Sequence, residues 1–133
     1  MNRNTLIYIL GTAAVTLILI LAITSAWVGF TTADTCERSK KLYDTDDCVT
    51  ALINQLENEN QSYGERNDAI WALGQYGDAK ALPTLQKYYT GKIPSREPWN
   101  ETLSQYELQK AINLLEGGFN ITVIFRALSL GRV

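Results

Sequence analysis

The sequence predicts an all-α protein, in which an N-terminal transmembrane helix precedes a small domain of helical hairpins. Three observations lead there. No charged residue falls between Arg3 and Asp34. After Cys48, apolar residues recur at i, i+3, i+4 and i+7 in successive segments, the period of a one-sided helix. The breaks between those segments carry N-capping residues and glycines. On this basis residues 1–33 form the anchor, 34–47 a linker and 48–133 the helical domain.

The anchor rests on length. As an ideal helix, Thr5 to Phe30 would reach about 39 Å, more than the roughly 30 Å of a bilayer's hydrocarbon core. Tyr8 near one end, and Trp27 and Phe30 near the other, resemble interfacial aromatic anchors. A cleaved signal peptide is the rival, with Thr24-Ser25-Ala26 or Thr31-Thr32-Ala33 as small-residue cleavage sites. Only Arg3 precedes the apolar run, however, and the run exceeds the usual h-region of about 7–15 residues. The expected lipid contact is therefore the bilayer itself, through residues 5–30. Gly11 and Ala14 have a spacing that favours close helix packing, a weak signal alone.

Charge leaves the orientation open. Arg3 favours a cytoplasmic N-terminus, whereas Arg38, Lys40 and Lys41 after the span pull the other way. Cys36 and Cys48, the two cysteines of the chain, bear on the question. Two cysteines flanking a turn-like Asp44-Thr45-Asp46-Asp47 most simply form one disulfide in a domain outside the cytoplasm. The alternative is a pair of free, partly buried thiols. A redox-catalytic pair is not indicated, because Cys-x-x-Cys spacing is absent.

The domain's first helix is expected over about 47–58, with Val49, Leu52, Ile53 and Leu56 as its stripe and Asp46 or Asp47 as N-cap. Its partner, about 63–76, carries Ala69, Ala72, Leu73 and Tyr76 on one side. Ser62 and Glu65 have capping-box spacing, Gly77 supplies a left-handed stop, and Asp78 can cap the next helix. A third helix runs from Ala79 to Thr90 on Ala81, Leu82, Leu85 and Tyr89. It contains Pro83, tolerable only in a first turn. A long connection from Gly91 to Leu103 exceeds the usual 2–8 residues between bundled helices. Ser104 to Glu116 is again periodic, through Leu108, Ala111, Ile112 and Leu115. The apolar tail Phe119–Val133 reads as a last helix covering the open end of the stack, with a strand as the alternative given its β-branched content.

The stretch from Arg66 to Asp78 has the form Arg-x-x-Ala-x-x-Ala-Leu-Gly-x-x-Gly-Asp, carried by Arg66, Ala69, Ala72, Leu73, Gly74, Gly77 and Asp78. It resembles the second-helix signature of HEAT repeats of the bilin-lyase-like type. The resemblance implies a short α-α superhelical (HEAT-like) domain of about two repeats, used as a binding scaffold. Its second copy has decayed to Leu114-Leu115-Glu116. Some relatives are bilin lyases or metal-dependent hydroxylases. The hydroxylase chemistry needs histidine, and the chain has 0.

Composition narrows the chemistry further. Setting Arg3 aside, the soluble part holds 11 Lys+Arg against 14 Asp+Glu, interspersed, with no basic stripe of the kind nucleic acid requires. No phosphate loop, metal-ligand cluster or nucleophile motif occurs. Asp44, Asp46 and Asp47 look like the start of a calcium loop but lack its Gly and its Glu at position 12, so a helix cap is the better reading. Three sequons begin at Asn60, Asn100 and Asn120, relevant only in a eukaryotic secretory setting. No catalytic residue, cofactor or metal site is expected.

The function these observations favour is a membrane-anchored interaction module, an accessory or assembly subunit that binds other membrane-complex proteins and no nucleic acid. Tyr63, Arg66, Trp71, Arg96 and Trp99 are its candidate partner-binding residues, because Trp and Arg are enriched at binding hot spots. Trp71 sits about 150° from the centre of the Ala69–Tyr76 stripe, so it is either an outward anchor or a contact of the following loop. Trp99 either docks a partner or tucks back on its own domain. For Arg66 the resemblance implies a carboxylate partner in the adjoining repeat. The alternative function is an anchored or secreted small-molecule carrier or lyase-like enzyme using a groove carboxylate such as Asp68.

Overall fold

The computed structural model describes residues 2–119, and among these residues the regular secondary structure is all helical. Among them, five α-helices succeed one another: α1 Arg3–Tyr43, α2 Cys48–Glu57, α3 Tyr63–Tyr76, α4 Leu82–Tyr88 and α5 Gln105–Leu115. The expected last helix of the tail lies, apart from Phe119, outside the described residues.

The segment expected as a linker is instead mostly helix. α1 runs unbroken through the apolar span and on to Tyr43, so only 44–47 connect it to α2. Two effects extend it. Past Asp34 the sequence turns polar without a Gly or Pro to stop a helix, and this polar part buries Thr32, Thr35, Cys36 and Ser39 against the domain. Asp44 ends the helix in the left-handed conformation (φ 48°), an Asp being one of the few residues that tolerates it.

α2 and α3 form the first hairpin. Asp47 caps α2 by accepting from the Thr50 amide. Ser62 and Glu65 close a complete capping box on α3, and Gly77 ends it at φ 70°. Ala79–Ala81 form a single 3₁₀ turn capped by Asp78, and α4 then begins with Pro83 in its first turn, where its missing N–H costs nothing. The third helix is thus shorter than the expected 79–90. α4 and α5 make the second hairpin, antiparallel, as Tyr89 pairs with Gln109 and Gln86 with Glu116.

Residue pairs fix how the hairpins stack. Asn67 meets Ser104 and Gly74 meets Ala111, so α3 and α5 run in the same sense in one layer. Lys80, just before α4, bridges to Asp47 at the start of α2, and Lys87 to Glu57 at its end. α2 and α4 therefore form the second layer. The buried core between the layers is Leu52, Leu56, Ala69, Ile70, Leu73, Leu85, Leu108 and their neighbours.

α3 is the central helix. Besides the predicted stripe, Gly64, Asn67, Ile70 and Gly74 on its other side are buried. A Cβ at Gly74 would stand 2.9 Å from the Ala111 Cα, so glycine here sets the distance between the two repeats. The polar end of α1 covers the outer side of the first hairpin, against α2 and α3. Solenoid ends need such a cover, and α1 provides one.

Candidate interaction surface

Three polar devices hold the helices in place and decide which candidate residues stay free. In the first, Gln55 is buried between helices. Its Oε1 accepts from the Ser39 hydroxyl of α1, and its Nε2 donates to the Glu65 carbonyl of α3 at 2.6 Å. The Asn58 amide adds a 3.0 Å bond to the Tyr43 hydroxyl. Contacts along α1 advance from Cys36 to Tyr43 as those along α2 advance from Cys48 to Asn58. The two helices thus run in the same sense, with the sulfurs of Cys36 and Cys48 at disulfide distance and their Cα atoms 5.4 Å apart, inside the range a disulfide needs.

Arg66 is the second device. It is only 6% exposed, and its Nε donates to the Leu56 carbonyl at 2.8 Å. Leu56 lies in the last turn of α2, where carbonyls lack helical partners and a cation is favoured. The guanidinium is also stacked between the Tyr63 and Tyr88 rings, 5.8 and 5.7 Å from their centroids. Arg66 is therefore a structural clamp, not a surface contact, and its bond goes to a backbone carbonyl in place of the implied carboxylate.

The third device fastens the long 91–103 connection. Buried Asn67 donates to the Trp99 and Thr102 carbonyls at 2.7 and 2.8 Å and accepts from the Ser104 amide at 2.9 Å. Because Asn67 takes that amide, the Ser104 capping box is half-made: Ser104 accepts from Glu107, while Glu107 turns to Lys110. Glu97 fills the remaining role at the start of α5, accepting from the Ser104 hydroxyl and the amides of Gln105 and Tyr106, a favoured place for a carboxylate. Periodicity reports only apolar faces, so it missed Gln55, Asn67 and Glu97. A faint signal existed for Asn67, a poor helix former in the middle of a strong helix.

Pinned in this way, the connection displays its aromatic residue. Trp99 is 40% exposed and Tyr63 is 42% exposed. Gly64, next to Tyr63 in sequence, lies close to the Trp99 ring and Asn100. Arg96 is exposed on the same loop. Trp71, in contrast, is half-buried and packs on the core. It is no outward anchor, because α3 has neighbours on both sides where the stripe implied one. Of the five candidates, the structure leaves Tyr63, Arg96 and Trp99 exposed, buries Arg66 and half-buries Trp71.

The carboxylates have assignable roles. The Lys80 ammonium, 2.6 Å away, and the Thr50 hydroxyl hold Asp47 down to about 2. Asp68 is half-buried and faces α1. Burial pushes its carboxyl up, partly offset by the nearby Arg38 and reinforced by Glu65. A shallow cleft of about 300 Å³ beside the α1–α2 turn is lined by Glu37, Lys40, Lys41, Asp44, Thr45 and Asp46, a mixed-charge set with no apolar floor.

Residues 65–90 match the family described as PBS lyase HEAT-like repeat. Over these residues the chain is similar to a HEAT-like repeat. The match joins α3 of the first hairpin to α4 of the second, the step at which one repeat stacks on the next. No curated protein and no solved structure matches the chain. A HEAT-like stack is a helical repeat framework of the kind used for protein interaction. α1 has a mean hydropathy of 2.7 over its most apolar part, none of it buried, so it is long and apolar enough to cross a membrane.

Proposed function

We propose that this protein is a membrane-anchored HEAT-like protein-protein interaction module, an accessory or assembly subunit of a membrane complex. In this reading it presents Tyr63, Trp99 and Arg96 to a protein partner. The observation that carries it is the polarity of the fold. Tyr63 and Ser104 begin α3 and α5, at the end of the domain marked by Tyr43 and Asn58. The apolar span joins at the other end, marked by Cys36 and Cys48. In this reading the exposed Tyr63 and Trp99 lie at the end of the domain away from the bilayer, toward a partner's soluble part.

Rigid aromatics on a pinned backbone lose little entropy on binding. A bilayer-spanning helix that continues without a hinge into the domain holds this surface at a set height above the membrane. We place the domain outside the cytoplasm, with Arg3 inside, on the strength of the Cys36–Cys48 pair.

Affinity purification of the full chain in mild detergent, with and without Tyr63→Ala and Trp99→Ala together, tests the reading. Loss of a stoichiometric membrane protein from the variant, with the helical circular-dichroism signal intact, supports it. An unchanged set of partners overturns the surface assignment. The half-buried Asp68 favours the carrier or lyase-like alternative, which a co-purifying small molecule lost on Asp68→Asn would support.

A further inference from the structure

The clamp at Arg66 uses only one end of its guanidinium. The residue is 6% exposed, and its Nε donates to the Leu56 carbonyl. The two Nη groups donate to nothing among the described residues. Among those residues no buried side-chain nitrogen lacks a partner, so the Nη groups are where Arg66 meets solvent. Its charge is uncompensated as well. All 14 acidic side chains of the chain occur at or before Glu116, within the described residues, and none forms an ion pair with Arg66. Glu65, next to it in sequence, is spent on the Ser62 cap. Glu57, next to Leu56, is spent on Lys87.

We propose that Arg66 forms the floor of a carboxylate site, filled by an aspartate or glutamate side chain of a protein partner. A guanidinium held by its Nε still presents two N–H groups side by side, a fork that a carboxylate accepts in two parallel bonds. The Tyr63 and Tyr88 rings, 5.8 and 5.7 Å from centroid to guanidinium carbon, flank that fork and favour a flat group over a tetrahedral phosphate.

Folding has already removed most of the water around Arg66, so an arriving carboxylate gives up mainly its own hydration. The opening admits only the tip of a side chain. It lies beside Tyr63, itself 42% exposed, so the carboxylate arrives with the surface that covers Tyr63. The site rests on the partner-binding reading given above and adds the chemistry of the contact.

The test titrates the unaltered full chain in detergent, carrying isotope-labelled arginine, with the blocked glutamate N-acetylglutamate N-methylamide. The corresponding glutamine derivative and inorganic phosphate are the controls. The Arg66 guanidinium resonances, identified by their loss in Arg66→Lys, should shift saturably with the glutamate derivative and respond at least about tenfold more weakly to either control. No shift, or an equal response to glutamine derivative or phosphate, overturns the carboxylate site whatever any variant does to the fold. Arg66→Lys keeps the charge but not the fork. In the affinity purification it should lower partner recovery about tenfold with the helical circular-dichroism signal intact, and unchanged recovery overturns the assignment to a partner side chain. Partner loss from the Tyr63 and Trp99 variant without any response at Arg66 would sink this site and leave that surface standing, so the two readings fail separately.

Discussion

Replacing Asn67 with alanine tests how the long connection is held. The substitution strips one buried amide and two carbonyls of their partners. The Ser104 amide lies in a residue only 4% exposed, where a lost partner carries the full desolvation penalty of about 1–3 kcal/mol. The Trp99 and Thr102 carbonyls belong to exposed residues that water can reach, so each loses about 0.5–1.5 kcal/mol. The total is about 2–6 kcal/mol, centred near 4. For a domain of this size the central value lowers Tm by about 16–32 °C, at about 4–8 °C per kcal/mol.

Asn67→Asp makes a sharper version. Its carboxylate can still accept from Ser104 but cannot donate, and it faces two carbonyl oxygens, so it should destabilise at least as much as alanine. Thermal and urea melts in detergent give the stability. Hydrogen exchange at the Ser104 amide gives the local effect. If Asn67→Ala melts within about 0.5 kcal/mol of wild type, below the smallest single hydrogen-bond loss counted above, and Ser104 keeps its protection, the clamp argument is wrong.

Other named contacts carry consequences of their own. Gly74→Ala gains about 1 kcal/mol of helix propensity but forces a methyl to 2.9 Å from the Ala111 Cα. It should therefore destabilise by about 1–3 kcal/mol, and Ala111→Gly should not rescue it, because the clash is with backbone. Asp47 has its folded value lowered from 3.8 to about 2. Its contribution is present above 3.8 and lost as pH falls through about 2, and Lys80→Met should remove that pH dependence. Both side chains are about half exposed, so the effect is no more than about 1 kcal/mol, read as the difference between the two acid titrations of stability. Oxidised Cys36 and Cys48, 12 apart in sequence, should stabilise by about 3 kcal/mol. Alkylation of the denatured protein without reductant should label neither, and labelling of both would remove the main support for an extracytoplasmic domain.

What the sequence determined by itself was the helices of the hairpins and the ends of α2, α3 and α5 to within a residue or so, while the ends of α1 and α4 lay elsewhere than expected. Helix α3 was expected over the residues it occupies, because Ser62, Glu65 and Gly77 satisfy or terminate backbone hydrogen bonds within a few positions of themselves. The Asp47 cap, the buried stripes of α2 and α5, and the apolar span are local in the same way. The HEAT-like signature belongs with them, since its alanines and glycines encode a close approach that needs only one neighbour of any sequence.

Tertiary structure decided everything that depends on which neighbour arrives. Arg66 was a candidate because Arg is enriched at binding hot spots. Only the arrival of the last turn of α2 and the Tyr88 ring buries it. Trp71 lay opposite the predicted stripe, and a second layer of neighbours half-buried it. The 34–47 stretch has no stop signal before Asp44, yet its helix forms against a surface built by residues 48–76. Asn67 and Glu97 act on the loop 91–104 and the start of α5 across as many as 37 and 9 residues, and such polar pairings leave no period in a sequence. Side-chain hydrogen bonds between distant segments depend on where the backbone brings their partners, and that position is a property of the packed chain.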